Sequence, residues 1–134
     1  MSRRLRREQR GFHRAVSKRS NIFGHYRKPF GFIKNIGPAR ITARIHELNA
    51  QMKEGLAGMS RVQLYTPRDE NLSAGMVCFD VKGTKPEEVV KRLLAQRIVA
   101  STTPYRVSYA RLACSIVNTP QEIETVLRAI RELA

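Results

Sequence analysis

Two segments read Thr-x-x-Glu immediately before an apolar periodic run, and they constrain the fold more than any other feature of the chain. Thr84-Lys85-Pro86-Glu87 precedes Val89, Val90, Leu93 and Leu94, and Thr119-Pro120-Gln121-Glu122 precedes Ile123, Val126, Leu127, Ile130 and Leu133. In such a capping box the Thr hydroxyl and the Glu carboxylate each accept from a backbone N–H that the helix itself leaves unpaired. The pattern predicts helices over about 85–96 and from Pro120 to the C-terminus, the second with Pro at the first helical position.

A third helix comes earlier. Ile41, Ile45, Leu48, Met52, Leu56 and Met59 recur at spacings of three and four, which lines one helical face with apolar groups. Gly37-Pro38 marks its start and Gly58 lies near its end, so it spans about Pro38 to Ala57. Between the helices lie Val62 to Tyr65 and Gly75 to Val81, both enriched in β-branched and aromatic residues and read as strands. Ile98 to Ser101 reads as a short strand, Thr102-Thr103-Pro104 as a turn, and Val107 to Tyr109 and Ala110 to Cys114 as extended segments. The order is α-β-β-α-β-β-α. Short connections between adjacent strands imply an α+β fold with a small, mostly antiparallel sheet and helices packed on one face.

Charge separates this part from the beginning of the chain. Residues 1–28 carry ten Lys or Arg against one acid, Glu8, which is +9 of the net +14. Like charge and weak apolar periodicity predict a poorly ordered arm over residues 1–29, ahead of a folded domain over 30–134. Three origins compete for the arm. It is a nucleic-acid contact made through Arg3, Arg4, Arg6, Arg7 and Arg10, an Arg-rich targeting segment, or a non-native start to a truncated or frame-shifted reading frame. No apolar stretch follows Arg3-Arg4 to make a secretory signal, and no run of about 20 apolar residues offers a membrane span. Cys78 and Cys114 are too few for a disulfide framework and read as small apolar strand residues, which fits a cytoplasmic, reducing compartment.

Catalytic motifs are missing. The chain has no glycine-rich phosphate loop, no G-x-S-x-G elbow, no H-E-x-x-H and no Cys/His cluster of metal-binding spacing. His13 and His25 fall in the arm, and His46 reads as a boundary residue of the first helix rather than a ligand. Asp69 and Glu70, beside Arg68, read as a solvated turn. Lys53, Lys82, Lys85 and Lys91 read as polar helix faces or turns.

The most unusual stretch runs from Ser101 to Glu122. Arg111 stands in a strand, seven residues ahead of Asn118, which introduces the Thr119-capped final helix. With Leu112, Ala113, Glu122 and Ile123, this resembles the C-terminal signature of class V aminotransferases, pyridoxal-phosphate enzymes of fold type I, in the subgroup of isopenicillin N epimerase and the cysteine desulfurases. The Gly75 to Val81 strand, Pro86-Glu87-Glu88-Val89 with Leu93-Leu94, and the helix from Ile36-Gly37-Pro38 to Leu56 are similar to that family's small domain. The resemblance covers about Phe30 to Ala134. It implies that Arg111 binds the α-carboxylate of an amino-acid-like substrate, for which a guanidinium offers planar, paired donors. The alternative is that Arg111 pairs with a local acid or caps a carbonyl. The resemblance also places Thr103, Tyr105 and Arg106 on a loop facing the substrate.

The same resemblance implies pyridoxal phosphate as the parent family's cofactor, together with a large domain whose lysine, pyridine-nitrogen acid, ring-stacking group and phosphate turn have no counterpart in this sequence. A chain without them is expected to bind no cofactor and to catalyse nothing alone, because the cofactor carries the electron-sink chemistry. The leading expectation is therefore a catalytically incomplete fragment. A complementing subunit for a separate large-domain partner, a homo-oligomer and a basic nucleic-acid module are the other readings.

Overall fold

The computed structural model describes residues 31–134. Residues 31–36 are helical and end at Gly37, whose φ of 93° is one that side chains rarely adopt; its amide bonds the Ile33 carbonyl at 3.0 Å. The order that follows is α1 (Pro38–Ala57), β1 (Val62–Leu64), β2 (Met76–Val81), α2 (Pro86–Ala95), β3 (Ser101–Thr102), β4 (Ala110–Ala113) and α3 (Pro120–Leu133). A 3-10 turn, Glu70–Leu72, interrupts the β1–β2 connection. This is the α+β order read from the sequence, and one compact unit runs from Thr42 to Ala134.

The four strands form one antiparallel sheet in the order β1-β2-β4-β3. Side chains alternate between the two faces of a strand. Val62 on β1, Val77, Phe79 and Val81 on β2, and Ala110 and Leu112 on β4 are all buried, on the face that the helices cover. Leu48, Met52 and Leu56 of α1, Val89 and Leu93 of α2, and Ile123, Leu127 and Ile130 of α3 meet them in one cluster. Phe79 is fully buried at its centre, where removing its ring would cost about 3–5 kcal/mol.

Helix starts divide the two capping boxes. At α3 the expected device is complete: Thr119 Oγ1 accepts from the Glu122 amide at 3.2 Å, and Glu122 Oε2 accepts from the Thr119 amide at 2.8 Å. At α2 the expectation fails. The cap position is Lys85, in extended geometry and with no side-chain cap bond, because Pro86 pushes the preceding residue out of the helical region. Thr84 is left in the turn from β2, its amide bonded to the Val81 carbonyl at 3.0 Å.

Two strand expectations are also corrected. Ile98 to Ala100 are not strand, since the Ile98 amide is spent closing α2 on the Leu93 carbonyl at 2.9 Å; β3 is only Ser101–Thr102. Val107 to Tyr109 belong to the β3–β4 loop rather than to a strand. A further correction concerns Lys53. It is buried at 2% exposure, and its Nζ donates to the Pro67 carbonyl at 3.2 Å, the Arg68 carbonyl at 2.8 Å and Ser73 Oγ at 2.7 Å. With Asn49, which donates to the Ala74 carbonyl, it fastens the β1–β2 loop onto α1.

Candidate functional site

The face of the sheet away from the helices collects the polar residues of the strands. Register places Cys78 of β2, Arg111 of β4 and Ser101 of β3 side by side across that face. Arg111 is half-buried and its Nε donates to Ser101 Oγ at 3.0 Å, which holds the guanidinium against the sheet. Among the described residues it forms no ion pair: those present join Arg44 to Glu47 and Arg92 to Glu88, and His46 lies 3.6 Å from Glu70. A guanidinium that no acid pairs is what a carboxylate ligand needs.

The loop expected to face substrate is closed at its base by Thr103. Its amide donates to the Tyr109 carbonyl at 2.9 Å, its hydroxyl accepts from the Tyr109 amide at 2.9 Å, and its carbonyl accepts from Ser108 Oγ at 3.1 Å. Thr103 is buried, whereas Tyr105 and Arg106 stand exposed at the tip. The structure therefore sets Thr103 to hold the loop and Tyr105 and Arg106 to project from it. Arg3, Arg4, Arg6, Arg7 and Arg10 lie outside the described residues.

A second polar centre lies on β1 and β2. Tyr65 packs on Tyr109 with ring centroids 4.2 Å apart and planes 38° apart. Asp80, beside Gln63 in register, has Oδ1 buried with no hydrogen-bond partner. Burial pushes its carboxyl above the usual range, and the neighbouring Tyr65 hydroxyl draws it part of the way back. A shallow cavity of about 440 Å³ is lined there by Tyr65, Asp80, Lys82 and Ser108. Ser101, Tyr65, Tyr109 and Asp80 read in the sequence only as strand residues, with no site role. Their parity with Arg111 along alternating strands was the available signal, but it becomes readable only when the register is known.

The Asn118-Thr119-Glu122 signature does structural work. Asn118 Oδ1 accepts from the Ser115 amide at 2.8 Å and its Nδ2 donates to Glu122 Oε2 at 3.3 Å, while Arg44 Nη2 donates to the Asn118 carbonyl at 3.1 Å. This network fixes the β4–α3 connection, so it fixes where the strand carrying Arg111 ends.

The described residues thus form a helix-backed antiparallel sheet with Arg111 on its open face and a capped C-terminal helix. The match to known proteins is specific: the aminotransferase class V family matches residues 15–129, and the chain belongs to it. Among solved structures it is similar to the apo cysteine desulfurase of Thermococcus onnurineus NA1, with 28% identity and a TM-score of 0.71, over 76% of this chain and 28% of that one. It also resembles the cystine C–S lyase C-DES in complex with its product cysteine persulfide, at 22% identity and a TM-score of 0.63, over 70% of this chain and 24% of that one. A second C-DES structure, with glycine covalently linked to its PLP cofactor, matches at 23% identity and a TM-score of 0.60, over 67% of this chain and 23% of that one. The chain thus spans about a quarter of the length of each of these relatives. No match was found among curated proteins.

Most of the described lysines are either held by acceptors or exposed. Lys53 Nζ is consumed by three acceptors, and Lys82, which shares a cavity with Asp80, donates its Nζ to the Ser60 carbonyl at 3.3 Å. Lys34, Lys85 and Lys91 are exposed. Among the described residues Lys82 is the lysine that shares a cavity with a carboxylate, and it is exposed to solvent.

Proposed function

We propose that this chain serves as the substrate-contacting small domain of a class V aminotransferase-like protein, with Arg111 receiving the α-carboxylate of an amino-acid substrate. The observation that carries this reading is the Arg111 guanidinium, oriented by Ser101 on the open face and unpaired with any acid among the described residues. Tyr105 and Arg106 at the exposed loop tip would contact the rest of the substrate. The cofactor and the bond-making groups would come from the family's large domain; without it, this chain is a catalytically incomplete fragment. Pyridoxal phosphate, where bound, supplies the electron sink, and this chain supplies orientation.

Two measurements test the reading. Purified chain is incubated with pyridoxal phosphate and reduced with borohydride, and the labelled lysines are located by peptide mass. Scattered or absent labelling is expected; one stoichiometric adduct would show a complete cofactor site and overturn the incompleteness. In parallel, the Arg111 Nε–H resonance is followed as L-alanine is added. A saturable shift that is absent with ethylamine is expected, and no shift would remove Arg111 from substrate binding.

The charge concentrated in residues 1–28 supports a second reading, in which Arg3, Arg4, Arg6, Arg7 and Arg10 contact nucleic-acid phosphates. It requires binding that falls steeply with salt and vanishes on deleting that segment.

A further inference from the structure

The end of α2 is built at a cost. Its last carbonyls are closed by a left-handed cap, with the Arg97 amide on the Leu94 carbonyl and the Ile98 amide on the Leu93 carbonyl, both at 2.9 Å. The residue at the turn must take a positive φ, and Arg97 does so at 62°. Glycine is the usual occupant, having no Cβ to clash, and among the described residues Arg97 alone carries a side chain there. Such a conformation is strained and often marks a residue whose side chain is wanted where it stands.

Arg97 lines a cavity of about 440 Å³, within the range of small-molecule sites. The cavity lies on the helix-covered side of the sheet. Met52, Leu112, Cys114 and Ile123 make it apolar inside, and Val99, 82% exposed, stands at its edge. Glu122 also lines it, but its carboxylate already accepts from the Thr119 amide and from Asn118 Nδ2. Arg97 is itself exposed, and among the described residues its guanidinium has neither an ion pair nor a side-chain hydrogen bond. Gln96, Asn118 and Thr125 complete a lining that is part apolar and part polar, and with Arg97 as its one cation it matches a ligand that is apolar at one end and anionic at the other.

We propose that this cavity binds a small organic carboxylate, with the acid on the Arg97 guanidinium and the hydrocarbon against Met52, Leu112 and Ile123. The site is separate from Arg111. Successive residues of β4 point to opposite faces, so Leu112 looks into the cavity while Arg111 stands on the open side.

Arg97→Gly is the discriminating variant. It removes the guanidinium at the one residue where glycine suits the backbone better than the native side chain, so loss of folding does not confound the result. Amide shifts of the full chain are followed during titration with hexanoate, with hexanol and hexylamine as controls. Hexanoate is expected to give saturable shifts at residues 97–99, 112–114 and 123–126, hexylamine none, and Arg97→Gly is expected to weaken hexanoate by about tenfold or more. Equal binding of hexanol, undiminished binding in Arg97→Gly, or no saturable shift by about 10 mM hexanoate would each overturn the proposal.

Discussion

Gly55 of α1 lies against Leu127 of α3, and replacing it with alanine tests whether that approach is as tight as the geometry states. A Cβ at Gly55 would lie 2.7 Å from Leu127 Cδ2 and 3.0 Å from its Cγ, and closer still to Cδ1. Leu127 is 3% exposed within the core cluster, so its side chain cannot swing away without displacing neighbours. Overpacking of this kind costs about 1–3 kcal/mol. Against it stands the gain of about 1 kcal/mol from placing Ala rather than Gly inside a helix. The clash wins, and Gly55→Ala should lose about 1 kcal/mol, up to about 2, in urea denaturation followed by circular dichroism. The pair Gly55→Ala with Leu127→Ala completes the argument. Leu127→Ala alone should cost about 2–5 kcal/mol by opening a cavity. In the double variant the new methyl enters that cavity, so the two costs should fall short of additivity by about 1–2 kcal/mol. A Gly55→Ala chain as stable as its parent, or strict additivity in the cycle, would refute the close approach.

Thr119→Ala should destabilise α3 by about 1 kcal/mol, and Thr119→Ser should restore most of it, as read by thermal unfolding. Lys53→Met keeps length and burial but removes three bonds from the ammonium. The freed oxygens lie on a largely exposed loop and can rehydrate, so the loss should be about 1–2 kcal/mol, with faster amide exchange confined to residues 66–75. Exchange that quickens equally in α3 would show that Lys53 does more than hold the loop. Burial raises the Asp80 carboxyl, so the folded chain binds that proton more tightly than the unfolded chain does. The cost is absent in acid below the ordinary carboxylate range, grows as pH rises toward the raised value, and stays constant above it. Asp80→Asn should therefore be the more stable form at pH 7 and lose that advantage in acid, whereas equal stability at both would remove the buried-carboxylate account.

Local signals were legible where a residue's neighbours in sequence are also its neighbours in space. The spacing of Leu48, Met52 and Leu56 sets α1 at Pro38–Ala57, as expected, and Thr119 finds Glu122 three residues on. At Thr84 an equally local signal lost to Pro86, whose ring governs Lys85 more strongly than a hydroxyl draws the cap. Lys53 was out of reach for a different reason. Its partners lie 14 to 20 residues away on a loop that folds back, and nothing in a helical spacing reports that cover. Arg111 could be named from its resemblance to a family motif, but Ser101 as the group that orients it depends on the length of the loop between β3 and β4. That register is a property of two strands at once.

The strand order β1-β2-β4-β3 is two hairpins laid edge to edge, which bears on how quickly the chain can reach its native state. β1 with β2 and β3 with β4 close over short separations and can form independently. The seam between them joins Val77 to Leu112, about 35 residues apart, with α2 carried in between. That one long closure carries the largest entropy cost in the sheet and should set the folding rate. Substitutions along the β2–β4 seam should slow folding, while those confined to the outer strands should mainly hasten unfolding.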